Sequence, residues 1–402
     1  MAVFIWAVAA LSLAGVIFQP FRWPEYRFAC GGAALLVLTG ALSPLAAVAA
    51  VGQGGDVYLF LAGMMALAAV ADSEGLFAWA AAHTARAAAG AGVKLFALIY
   101  ALAVVVTIFL SNDATAVVMT PAVAAMARAA KVQAPLPYLL ICAFVANAAS
   151  FVLPISNPAN LVVFGQSMPS LFAWLREFGL ASLAAILVTF AILFLTQWRA
   201  IGPVGIPEET AALSPAGRHT AYGLLVTAAV LLIASAAGWQ LGLPTALAAA
   251  ATVLAVRLPA GEKSPLTLLH GISWSTLALV AGLFVLVAAL DRAGAARLLA
   301  NGFAHATIWS AGFALGFGCN LVNNLPAGLA AAHALTHAPA AIRRAALIGV
   351  DLGPNLSVTG SLATILWLAA LRRENIACSA WQFLRIGIFV MPPALAAALL
   401  SP

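Results

Sequence analysis

Apolar blocks follow one another along nearly the whole chain, and short polar clusters break them at only a few places. Of its 402 residues, 64% are hydrophobic and 7% charged, whereas a soluble domain carries about 25% charged residues. With a mean hydropathy of +1.07, the chain lacks the polar residues needed to cover a water-facing surface. Only helices and closed barrels satisfy their own backbone in lipid, and blocks of this length fit helices at roughly 20 residues per span. The expected class is therefore an all-α polytopic membrane protein with about ten transmembrane helices. The first block, Met1 to Gln19, has no basic leader and no small-residue cleavage site, so it reads as a span rather than a signal peptide. The net charge of +6 comes from basic residues in short loops, which is positive-inside bias and not a nucleic-acid footprint.

The order of elements occurs twice. Spans at 3–18, 29–50 and 57–71 lead to a small-residue arm, 74–92. Two apolar pieces, 95–110 and 114–127, flank Ser111-Asn112-Asp113. At about 1.5 Å per residue each piece is short for a full crossing. They therefore read as a re-entrant hairpin near 95–127 with the cluster at its tip. A span over 136–165 is interrupted at 154–160, and another runs over 171–198. After a polar connection at 199–219 come spans at 220–237, 244–257 and 270–290 and an arm at 292–307. A second hairpin over 309–335 carries Asn323-Asn324 near its tip, followed by a broken helix over 343–371 and a last span over 381–400. The expectation is two inverted-topology repeats, 1–198 and 220–402, joined by a cytoplasmic linker at 199–219. Each repeat holds one re-entrant hairpin and one discontinuous helix. With the N-terminus outside, thirteen basic residues fall inside: Arg22, Arg27, Arg86, Lys94, Arg128, Lys131, Arg199, Arg218, Arg257, Lys263, Arg372, Arg373 and Arg385. Five fall outside: Arg176, Arg292, Arg297, Arg343 and Arg344. The loops near 51–56, 166–170 and 238–243 carry none. That asymmetry favours this orientation.

Paired interruptions in corresponding places of two halves point to a transporter's binding site. Acidic residues are scarce, and only Asp113 and Asp351 fall at membrane depth, where ionisable groups are functional candidates by default. A carboxyl in low dielectric is suited to carrying protons near neutral pH. A simple helix cap would also account for Asp113, and a buried structural partner for Asp351. Around them, Asn112, Thr115, Asn147, Ser156, Asn157, Asn160, Asn323, Asn324, Asn355, Thr359, Ser361 and Thr364 supply neutral donors and acceptors. Such groups suit a small uncharged hydroxyl-rich solute or an oxygen-ligated cation; no Lys or Arg lies at that depth to hold a dianion. Asn147 precedes the first break much as Asp351 precedes the second, and Asn160 corresponds to Thr364 at one offset. Of six histidines only His333, inside the second hairpin, invites attention. Cys30, Cys142, Cys319 and Cys378 lack metal-ligand spacing. There is no P-loop pattern and no hydrolase triad or zinc-protease spacing. The reading is a transporter with no catalytic residue, no metal and no cofactor.

Ser111-Asn112-Asp113-Ala114-Thr115-Ala116 with Thr120-Pro121 resembles the hairpin-tip signature of the ion transporter superfamily, whose carboxylate cotransporters have Ser-Asn-Thr there. Asn157-Pro158-Ala159-Asn160 resembles their Thr-Pro-Pro-Asn break only loosely. Asn323-Asn324-Leu325-Pro326, Asp351-Leu352-Gly353-Pro354-Asn355 and Thr359-Gly360-Ser361-Leu362-Ala363-Thr364-Ile365-Leu366-Trp367 are similar to the arsenical pump membrane protein family. The resemblance implies efflux of arsenite and antimonite, the uncharged trihydroxides, from the cytoplasm in exchange for protons across the cell inner (plasma) membrane. It implies Asn and Thr contacts to the solute and proton coupling by Asp113 and Asp351. A separate arsenite-stimulated ATPase is a partner of some members. Sodium/proton antiport and carboxylate cotransport are the alternatives within the superfamily, and an ATPase-driven pump subunit is the alternative of another kind.

Overall fold

The computed structural model describes residues 1–20, 23–165, 168–207, 212–258, 271–336 and 338–401. Arg22, Lys263, His270 and His337 lie outside the described residues. Among the described residues there are α-helices and short 3-10 and π turns but no strand. The first group is α1 (Ala2–Phe18), α2 (Glu25–Leu38), α3 (Pro44–Gln53), α4 (Gly55–Ser73) and α5 (Leu76–Ala88). The first hairpin is α6 (Gly92–Leu110), then α7 (Asn112–Ala114), a π turn at Thr115–Met119 and α8 (Thr120–Ala129). The first broken helix is α9 (Leu136–Ala148), a 3-10 turn at Pro154–Ser156 and α10 (Pro158–Phe164), followed by α11 (Leu171–Gln197). The order then restarts with α12 (Pro215–Ala236), α13 (Gly242–Arg257), α14 (Trp274–Arg292) and α15 (Ala295–Phe303). The second hairpin is α16 (Ile308–Val322) with α17 (Asn324–Ala334). The second broken helix is α18 (Ala340–Leu352), 3-10 turns at Gly353–Asn355 and Val358–Gly360, and α19 (Leu362–Arg373). The chain closes on α20 (Ala380–Leu400).

Among the described residues six helices, α4, α6, α11 and α14 among them, are long and apolar enough to cross a membrane, and five shorter apolar helices accompany them. Packing exchanges partners between the halves. α4 lies along α13, and α14 along α2 and α3; α10 packs on α17, while α19 packs on the α7–α8 arm; α11 and α20 pair with each other. Small residues make the close approaches, as expected where lipid supplies no hydrophobic drive between helices. A Cβ at Gly63 would meet the Thr245 backbone at 3.0 Å, and one at Gly282 would meet that of Ala29 at 2.8 Å. These two glycines occupy equivalent positions on α4 and α14, so the same device fastens both crossings.

Three boundaries differ from the sequence reading. The span expected at 29–50 is two helices, α2 and α3. The chain stops at Thr39, turns through Gly40 at φ +71° and restarts at Pro44 under a Ser43 cap. α6 has 19 residues, about 28 Å at 1.5 Å each, so shortness is no argument for its re-entry. The fold-back rests on contact instead: Thr107 and Thr115, eight residues apart, touch through their hydroxyls at 2.8 Å. The first interruption begins at Ala149, earlier than 154; Pro154 has no N–H to return to the Ser150 carbonyl, which accepts from Asn160 Nδ2 at 2.9 Å instead.

Candidate functional site

Both hairpins turn at a residue with positive φ, Ser111 (φ 118°) and Asn323 (φ 74°). Each then caps the returning arm through its side chain, Ser111 Oγ accepting from Ala114 N and Asn323 Oδ1 from Leu325 N. The cap leaves the next residue, Asn112 or Asn324, at the tip. Both are buried, and among the described residues the Oδ1 of each has no hydrogen-bond partner. In the first hairpin the π turn follows at once. Pro121 has no N–H to return to the Val117 carbonyl, which a regular α-helix would require. A π turn of this kind often marks a functional site.

The first break is held by its own asparagine, and the second by an asparagine of the neighbouring α16. Asn160 Nδ2 donates to the carbonyls of Ser150, Leu153 and Pro154 at 2.9–3.4 Å, and Ser156 Oγ donates to Ile108 O at 3.0 Å, tying the first break to α6. In the second, Asn320 bridges by donating to Gly316 O and Gly353 O at 2.8 and 2.9 Å. Thr359 Oγ1 donates back to Asn320 O at 2.9 Å, and Asn323 Nδ2 donates to Thr359 O at 3.4 Å. Asn157 and Ser361 cap the second half-helices α10 and α19 in extended conformation. Asn147 and Asp351, and likewise Asn160 and Thr364, then fall at equivalent positions.

The capping residues also cross between the breaks. Asn157 Nδ2 donates to Asp351 Oδ1 at 2.5 Å, and Ser361 Oγ donates to Asn147 Oδ1 at 3.3 Å. Each residue before a break thus meets the cap of the opposite half-helix. Asn147 further donates to Asn355 Oδ1 at 3.0 Å, Asn355 donates to Phe144 O, and Ser361 meets Thr364 at 2.5 Å. Asp351 is fully buried, and its Oδ2 has no partner among the described residues.

A cavity of about 10 Å³ sits where tips and breaks converge, with Asn112, Asp113, Asn157, Asn324 and Ser361 in its wall beside Leu61 and Thr276. This space holds about one water. Asn147, Asn355, Asp351 and Thr364 brace that wall from behind. Thr115 bonds within its own hairpin and Asn160 within its own break, while Ser156, Asn323 and Thr359 join hairpin to break; none of the five lines the cavity. The sequence reading omitted Asn320, Ser357 and Thr276. Asn320 lies four residues before the Asn324 tip, one turn back on a helix, a spacing that could have revealed it.

A second cavity of about 740 Å³ opens beside the first, between α3–α4 and α10–α17, lined by Asp56, Gln240, His333 and Arg343 among others. It brings together the ends of the basic-free loops, at Gly52–Gly55, Gly165 and Gln240. Three helices separate this vestibule from the small cavity by about one turn each. Leu61, Pro158 and Leu325 face the small cavity, and Val57, Leu161 and Leu329 face the vestibule. Away from that mouth, Val204 N donates to Gly90 O, Gly205 N to Ala130 O, and Arg128 pairs with Glu374 at 2.7 Å. Arg257, buried, pairs with Glu74 at 2.9 Å.

Comparison with known proteins gives the family and the fold. Residues 13–352 match the citrate transporter (CitMHS) family. The chain is 28% identical to the arsenical pump membrane protein of Escherichia coli (strain K12), over 97% of this chain and 95% of that one. It is 30% identical to the arsenical pump membrane protein of Yersinia enterocolitica, over 81% and 80%. The crystal structure of the Alcanivorax borkumensis YdaH transporter, described as having an unusual topology, superposes with TM-score 0.57 at 14% identity, covering 88% of this chain and 85% of that one. That likeness concerns the fold alone. With its multi-pass helical architecture, its paired hairpins and broken helices, and these matches along most of its length, the chain belongs to the citrate transporter (CitMHS) family together with the arsenical pump membrane proteins.

Proposed function

We propose that this chain exports trivalent arsenite or antimonite, as the neutral trihydroxide, from the cytoplasm in exchange for protons. The cavity among the tips and breaks is the site of transport. The observation that carries the reading is the pair of unpartnered acceptors, Asn112 Oδ1 and Asn324 Oδ1, at equivalent tips on one cavity wall. Buried polar groups are normally paired, and a trihydroxide brings three O–H donors to such acceptors. Asn157 and Ser361 offer further hydrogen bonds, and Asp113 and Asp351 carry the coupling protons. No Lys, Arg or His lines the cavity among the described residues, which disfavours a citrate-like anion as solute. The arsenical names of the relatives support the same reading. Loading requires the cavity to expand, by displacement of a hairpin against the one-turn barrier. The charge asymmetry supports a vestibule that faces outward, and the reading as an exporter from the cytoplasm supports the inner (plasma) membrane.

The test is arsenite resistance conferred on a sensitive bacterial host. The wild-type chain should confer it, and Asn112→Leu with Asn324→Leu should remove it while the protein remains in the membrane at normal abundance. Full resistance from the double variant would sink the site assignment.

A further inference from the structure

His333 sits in the last turn of α17, in the vestibule wall, and no role above uses it. Its Nδ1 lies 2.9 Å from the Leu329 carbonyl. A carbonyl only accepts, so Nδ1 carries a hydrogen. The neutral ring therefore presents Nε2 as an acceptor, and Nε2 faces Asp291 Oδ2 at 3.5 Å. Two acceptors are opposed, and one proton between them converts the clash into a charge-assisted contact. The surroundings favour the same occupant. Asp291 lies at the C-terminal end of α14 and His333 at that of α17, and both helix ends carry negative partial charge. The side chains are 37% and 23% exposed, so solvent protons reach them.

Among the described residues the other charged groups around the pair are few. On the elements packed against α17, α14 adds Arg292, α15 adds Arg297, α16 carries only the thiol of Cys319 and α10 has no titratable residue. α18 contributes Arg343 to the vestibule, while its Arg344 bonds Ser401 and its Asp351 belongs to the breaks. Across the vestibule, Asp56 is engaged with Gly242 N at 2.7 Å. None of these interposes between Nε2 and Oδ2. The first repeat has no such pair: Asp72 is the equivalent of Asp291, but Pro121 stands at the position equivalent to His333.

We propose that His333 and Asp291 form a proton-binding station in the vestibule wall, which when occupied clamps the α16–α17 hairpin to α14. A proton taken from the vestibule side stabilises the conformation with this mouth open, and its loss releases the hairpin. The use of the station in transport rests on the proton-exchange reading; its existence does not.

Nitrogen-15 histidine spectra of the full chain in lipid nanodiscs test the station, with His333 assigned by the resonance missing from His333→Gln. At acid pH the protonated His333 Nε2 resonance should carry the downfield displacement of a charge-assisted hydrogen bond to the Asp291 carboxylate, and Asp291→Asn should remove it. A resonance that is the same in both proteins overturns the proposal. In everted vesicles with fixed outer pH, Asp291→Asn should move the dependence of arsenite uptake on lumenal pH to more acid values. A wild-type profile in that variant overturns the clamp's part in transport. A profile that is flat in the wild type refutes proton exchange itself, while the spectra still decide the station.

Discussion

At the scale of single residues, the account divides the polar groups by what their side chains touch. Asn112 and Asn324 present unpartnered acceptors to the cavity, so Leu at either position should lower initial arsenite uptake at least about tenfold, in line with the loss when a hydrogen-bonding site is emptied. Equal uptake by either variant would contradict the assignment. Asp351 accepts from Asn157 in a fully buried setting. Asp351→Ala leaves the Asn157 amide without its acceptor, at a cost of about 1–3 kcal/mol, and should lower the melting temperature in detergent. Asp351→Asn restores an acceptor and should melt near the wild type while failing to couple protons. The sequence marked both tip asparagines because polar residues at membrane depth need a reason. It did not separate Asn160 and Thr359, which hold the backbone around the breaks, from Asn157 and Ser361, which face the cavity. That distinction depends on rotamers and on which half-helix lies opposite, and neither is written locally.

At the scale of elements, both halves use the same sequence of parts, and the parts exchange partners across the molecule. Gly282 lets α14 approach α2 until an added Cβ would lie 2.8 Å from backbone, whereas Gly31 on α2 has open space around it. Gly282→Leu should destabilise by about 1–3 kcal/mol or more through overpacking, read as a fall in the detergent melting temperature. Gly31→Ala should leave it unchanged. Hairpins, breaks and their order were legible from hydropathy and from the polar clusters. The division of 29–50 into α2 and α3 was not, because Thr39-Gly40-Ala41-Leu42-Ser43-Pro44 is too short and too apolar to register as an interruption. The partner exchange was not legible either, since apolar helices of similar composition carry no mark of which neighbour they take.

At the scale of the whole molecule, one mouth is open and gathers the loops that carry no basic residue, while Gly90, Ala130 and Val204–Gly205 meet elsewhere. The orientation proposed from charge is therefore testable with impermeant thiol reagents. Gln53→Cys and Thr336→Cys, both in the vestibule wall, should label in intact cells, and Arg199→Cys only in everted vesicles. The reverse pattern would invert the transport direction assigned here. The central claim is proton-coupled export of a neutral metalloid hydroxide through the cavity beside Asp113. Its most direct measurement uses the purified chain in proteoliposomes without ATP, an imposed pH gradient (acid inside) and radiolabelled arsenite outside. Uptake should follow the gradient, collapse with a protonophore and vanish in Asp113→Asn. Uptake indifferent to the gradient, or undiminished in that variant, would contradict it.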